Sequence, residues 1–135
     1  MYQKILGGLI GAAAGDAMGA ATETRTRKQI EEKVGGYVTD FLAPPDDTFA
    51  RGSKAGQVTD DFSVAYMTLK EVVAQGKLDD QTALAGLLKW ADIPAYFDHF
   101  AGPTTKASVR ALKGEDIQSD VFVPCNENRR ASNGA

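Results

Sequence analysis

The stretch GQVTDDFSVAYMTLKEVVAQG at 56–76 carries Phe62, Ala65, Tyr66, Leu69, Val72 and Val73 at three- and four-residue intervals. That spacing predicts an amphipathic helix with these six side chains inward and Gly76 as its C-terminal cap. LDDQTALAGLLKWA at 78–91 predicts a second helix, opened by Asp79 and Asp80. Pro103 starts a third, with Ala107, Val109, Ala111 and Leu112 inside and Gly114 as its stop. TRKQIEEKV at 26–34 is a short charged helix ending at Gly35-Gly36. Between these lie YVTDF at 37–41, a brief extended piece, and two loops over 43–57 and 92–105. The first loop is long for a compact domain, and such loops often carry function. In the second, Tyr96, Phe97 and Phe100 are expected to form a satellite of the core, with His99 a surface or packing residue. The segment from 115 to 135 is polar and irregular apart from Val121–Val123. No alternation of strand and crossover is present, so the expected fold class is all-α.

The N-terminal GGLIGAAAGDAMGAATE at 7–23 has a pattern of its own, with Gly7, Gly11, Gly15 and Gly19 recurring every four residues. Glycine costs a helix about 1 kcal/mol per position relative to alanine. A row of them predicts a buried helix over 5–22, packed closely enough to compensate. A signal peptide is opposed by the scarcity of Leu and Ile and the frequency of Gly. A membrane span is opposed by Asp16 and by the shortness of the apolar run. A phosphate or dinucleotide loop is opposed by the lack of G-x-G-x-x-G and of a closing lysine–hydroxyl pair. On a helix, Asp16 and Glu23 lie nearly two turns apart, both on one side and about 10 Å from each other by helix rise. On spacing alone the ordinary reading comes first, with Asp16 bonded to backbone in the interior and Glu23 a solvated helix-end residue.

Composition narrows the chemistry. A chain of 135 residues with 43% hydrophobic and 24% charged residues supports one folded unit. A net charge of −3 gives no pull toward nucleic acid or anionic lipid. One cysteine, Cys125, and one histidine, His99, exclude an internal disulfide and a zinc site of the usual Cys/His spacing. The expected setting is cytoplasmic, with oxygen-ligand chemistry and no membrane. Thr59, Asp60 and Asp61 fall at the N-terminus of the helix predicted in 56–76, where capping already accounts for them. Asp79-Asp80 does the same at the next helix, so an Asp-Asp pair at a helix start is not in itself a site.

Four stretches taken in order change that reading: GAAAGDAMGAATE at 11–23, GQVTDDFSVAYMTL at 56–69, GPTTKASVRALKG at 102–114 and ASNGA at 131–135. Together they resemble the ADP-ribosylglycohydrolase family, which includes the dinitrogenase reductase-activating glycohydrolases. The resemblance implies an all-α enzyme that uses two divalent metal ions, Mg2+ or Mn2+. Such an enzyme hydrolyses the bond from the anomeric carbon of ADP-ribose to an acceptor such as a protein arginine or serine. It implies Thr59, Asp60 and Asp61 as metal ligands, and Glu23 as the acid that orders the second metal or the attacking water. Glu23, Asp60 and Asp61 are then the catalytic set, with Asp16 a structural or supporting acid. Gly102, Pro103 and Thr104 resemble the loop near the phosphates and ribose, and Ser132, Asn133 and Gly134 the loop that embraces ADP-ribose.

The chemistry suits those residue types. Magnesium takes hard oxygen ligands and keeps several waters, and a cation relieves the repulsion between adjacent carboxylates in a shielded cleft. Two metals can hold ribose hydroxyls and activate water against a carbon with oxocarbenium character. The sequence departs from the family pattern at Phe62, where threonine usually follows the Thr-Asp-Asp run. The family's C-terminal Asp-x-Asp motif with its threonine is also missing; Asp46, Asp47 and Thr48 stand in the wrong place to replace it. The expectation is therefore that residues 1–135 are the N-terminal piece of a single domain, completed by a C-terminal fragment or chain of the same protein. The alternative is a non-catalytic relative that keeps the fold as a binding or structural protein.

Overall fold

The computed structural model describes residues 1–115, and among them the chain forms helices only. These are α1 (Tyr2–Gly19), α2 (Arg27–Val34), α3 (Asp60–Gln75), α4 (Asp80–Ala91), α5 (Pro94–Phe100) and α6 (Pro103–Leu112). The all-α expectation holds, and YVTDF forms no strand. The chain divides into two compact units, Met1–Phe62 and the part from Ser63 onward, so α3 begins in one and continues in the other.

In the first unit α1 departs from expectation twice. Only Ala17 is buried along it, while Tyr2, Ile5, Leu6 and Ile10 are exposed. A Cβ placed on Gly7, Gly8, Gly11, Gly15 or Gly19 would meet no atom within 4 Å. The glycine row is thus an open surface among the described residues, not a packed groove. The helix also stops at Gly19, whose carbonyl accepts from the backbone N–H of Thr22 at 2.9 Å and from its hydroxyl at 3.1 Å. Such side-chain bonds offer the backbone an alternative to the helix ladder. Glu23 therefore lies in a turn beyond the helix, beside Thr24 with φ 61. A left-handed backbone is a genuine outlier for a β-branched residue.

Thr26 opens α2 through a reciprocal capping box with Gln29, and Gly35 closes it at φ 78. The loop that follows is tied down by Asp47, which bonds Arg25 at 2.5 Å and Lys33 at 2.7 Å. Hydrogen bonds from Lys33 and then Arg25 hold the Asp47 carboxyl down at about 2. A carboxyl bound this way stabilises the fold above its ordinary value near 4, and the stabilisation is lost as pH falls toward 2. Amide protection at Thr48 and Ser53, which close turns in this loop, is accordingly expected to drop between pH 4.5 and 2. Asp47→Asn should lower it already at neutral pH and flatten the dependence. Equal protection factors at both ends of that range, in both proteins, would contradict the tether.

The second unit is built on Trp90, fully buried with Ala91, Ala101 and Val109, against which Val64, Met67, Leu87, Leu88, Tyr96, Phe97 and Phe100 pack. The indole N–H of Trp90 donates to Ser63 Oγ at 2.8 Å, and its ring meets Phe97 edge-on at 5.8 Å. At Gly86 α4 presses onto α3: a Cβ there would sit 2.6 Å from Thr68 Cα and 2.9 Å from Thr68 N. Only glycine lets the two backbones approach so closely.

That approach resets the inward face of α3. Ser63 and Glu71 are buried, while Tyr66, Leu69 and Val73 are exposed, Val73 at 83%. Both buried polar residues are paired, Ser63 Oγ accepting from the Trp90 indole N–H and Glu71 from Lys89 at 2.5 Å. In α6 Ala107 and Val109 are buried as expected, but Ala111 and Leu112 are exposed. Part of the 92–105 loop is a helix, α5, because Pro94 occupies its first turn, where a missing N–H costs nothing. Its aromatics join the core as expected. Asp79 caps α4, accepting from the Thr82 N–H at 2.9 Å.

Candidate functional site

The site residues of the first unit gather at the N-terminus of α3. Helix starts leave N–H groups without intrahelical partners, and here an acid from α1 takes two of them. Asp16 Oδ2 accepts from Thr59 N–H at 2.7 Å and from Phe62 N–H at 3.3 Å. Its other oxygen accepts from the Thr59 hydroxyl at 2.5 Å. The Thr59 oxygen in turn receives a long bond from Asp61 N–H at 3.4 Å. Thr59 is buried, Asp16 and Asp60 are half-buried, and Asp61 and Glu23 are exposed.

The electrostatics are those of crowded like charges. Glu23 is held above the ordinary carboxyl range, first by burial and then by the fields of Asp61, Asp60 and Asp16. Burial also pushes Asp60 up; a bond from its own backbone N–H opposes this, and the charges of Asp61 and Asp16 add to it. Among the described residues no ion pair involves any of these four acids.

The donor set, three carboxylates and a hydroxyl beside a fourth carboxylate, is right in kind for a hard divalent cation that retains part of its water. The same side chains do not converge into a finished cage, since no group of three or more His, Cys, Asp or Glu among the described residues stands close enough to grip a metal ion. Thr59, Asp60, Asp61 and Glu23 are thus brought to one mouth without being drawn together. Gly102, Pro103 and Thr104 open α6 in the second unit, Gly102 as the residue before the helix and Pro103 as its first. Ser132, Asn133 and Gly134 lie outside the described residues.

Sequence reasoning missed the bond from Asp16 to Thr59, which joins positions 43 apart, and the Arg25–Asp47 pair, 22 apart. No local periodicity marks either. The one signal was the unusual acid in the middle of a small-residue helix.

An all-helical chain that collects carboxylates at the start of one helix, steadied by an acid from a glycine-rich helix, belongs to a class with a recognisable sequence. The sequence model of the ADP-ribosylglycohydrolase family matches residues 1–135, and the chain belongs to that family. It is 29% identical over 136 residues to the uncharacterised protein YegU of Escherichia coli (strain K12). That match covers 98% of this chain and 39% of YegU, so the chain spans about two fifths of the curated relative's length. No helix among the described residues is long and apolar enough to cross a membrane.

Proposed function

We propose that the chain is part of a metal-dependent glycohydrolase that cleaves the ribosyl C1 bond of ADP-ribosylated substrates. The observation that carries this reading is the mouth of α3, where Glu23, Asp60, Asp61 and Thr59 gather with no ion pair to these acids among the described residues. In it, Thr59, Asp60, Asp61 and Glu23 hold two divalent ions, Mg2+ or Mn2+, which when bound supply charge to orient the ribose hydroxyls and acidify water. Glu23 orders the second metal or the attacking water. Gly102, Pro103, Thr104, Ser132, Asn133 and Gly134 are proposed as substrate-binding residues on the family resemblance alone. The metal site is finished by a C-terminal fragment or chain of the same protein, which also covers the apolar side of α1. Support for that partner comes from the open glycine row and the exposed Tyr2, Ile5, Leu6 and Ile10. A cytoplasmic setting rests on the lone Cys125.

A second reading, a non-catalytic binding protein of the same fold, draws on Phe62 and on the unconverged acids. Peptides carrying ADP-ribose on arginine or serine separate the two. With Mg2+ or Mn2+ present, the intact protein is expected to release free ADP-ribose and unmodified peptide, and with a chelator to release none. Binding of free ADP-ribose without any release would favour the second reading.

A further inference from the structure

Helix α4 shows how this chain caps a helix by local means, with Asp79 accepting from both the N–H and the hydroxyl of Thr82. Before α3 the position that matches Asp79 is Thr59, whose hydroxyl accepts only the long bond from Asp61 N–H at 3.4 Å, while its own N–H and hydroxyl both donate to Asp16, 43 residues upstream. Capping alone does not require so distant a residue. What the distant acid changes is the state of Thr59. A hydroxyl carries one proton and two acceptor positions. The proton is committed to Asp16 Oδ1 at 2.5 Å, and one acceptor position takes the weak contact from Asp61 N–H at 3.4 Å.

We infer that Asp16 is the positioning residue of the site: by taking the Thr59 hydroxyl proton it leaves that oxygen able to act toward a cation only as an electron-pair donor. Without Asp16 the proton would turn to the neighbouring carboxylate of Asp60 or Asp61, or toward the cation itself. Either way the site would lose donors. Asp16 also fixes the Thr59 and Phe62 amides, so one carboxylate sets both where α3 begins and how its first side chain is presented. This inference rests on the metal reading proposed above and adds to it a residue that touches no metal.

A double-mutant cycle on Mn2+ affinity of the intact protein tests it. Asp16→Asn is expected to weaken binding by about 10- to 100-fold, the range usual when a ligand's supporting partner is lost, and Thr59→Val, which removes the ligand itself, by at least as much. The double variant should be no weaker than the weaker single, because Asp16 acts through the hydroxyl that valine lacks. Thr59→Ser, which keeps the hydroxyl, should stay close to wild type. In the wild-type protein, independently of any variant's folding, the Thr59 hydroxyl proton should be visible by NMR and shifted downfield. Effects that multiply in the double variant, unchanged affinity in Asp16→Asn, or a Thr59 hydroxyl proton exchanging freely with water would overturn the positioning role while the metal reading stood. A wild-type protein that takes up no Mn2+ would overturn both.

Discussion

Asp60→Ala and Asp61→Ala are each expected to weaken Mn2+ or Mg2+ binding by at least about a hundred-fold, since loss of a supporting partner alone costs 10–100-fold. Turnover of an ADP-ribosylated substrate should fall to background with it. The helix should survive, for reasons of magnitude. An acid in the first turn of a helix contributes about 0.3–1 kcal/mol through the dipole, and alanine recovers part of that by propensity. Removing one of two adjacent carboxylates also relieves repulsion, and the bonds from Asp16 to Thr59 and Phe62 remain. Circular dichroism is therefore expected to match wild type while metal affinity collapses. The electrostatics supply a second readout. Asp61 is the largest charge acting on Glu23, although burial outranks it. Asp61→Asn should bring the Glu23 titration part of the way back to the ordinary range, leaving the share due to burial. Variants with wild-type metal affinity and turnover would remove the reason for assigning these acids to catalysis.

Trp90→Ala is expected to unfold the second unit or nearly so. Trp90 is the largest fully buried side chain described, and truncating such a residue costs about 3–5 kcal/mol. The indole also satisfies Ser63 Oγ, itself 3% exposed, and a buried hydroxyl left without a partner adds about 1–3 kcal/mol. Against the 5–15 kcal/mol that ordinarily separates folded from unfolded domains, that sum is as large as the whole margin of a domain at the lower end of the range. Trp90→Phe keeps the ring contacts with Phe97 and loses the Ser63 bond, so its cost should be clearly smaller. Urea unfolding of the three proteins checks the order. An alanine variant within about 1 kcal/mol of wild type would mean that the core does not rest on Trp90.

Much of the helix layout is legible in the sequence, because helix ends are local chemistry. Gly35, Gly76 and Gly114 all adopt the left-handed backbone of helix stops, and Asp79 and Thr26 cap as their neighbours in sequence require. Facing is less local. The inward side of α3 follows from Gly86 admitting Thr68 and from Lys89 reaching Glu71, contacts made by another helix. A three-and-four count over 62–73 contains neither. Pro94 reads as a loop breaker until it is placed in the first turn of a helix, where it belongs. The glycine row of α1 reads in sequence as a closely packed groove, whereas among the described residues nothing lies against it. Thr59, Asp60 and Asp61 were singled out by family resemblance, since their spacing looks the same as that of Asp79-Asp80. The bond from Asp16 to Thr59 depends on a fold that brings α1 to the start of α3, and no window of sequence spans it.

The measurement that bears most directly on this account is the number of metal ions held by the intact protein, counted by native mass spectrometry after dialysis against Mn2+. Close to two Mn2+ per protein are expected, falling in Asp60→Ala with the fold retained. No retained Mn2+ in a folded wild-type protein would contradict it, and the carboxylates at the start of α3 would then be a helix cap and its neighbours.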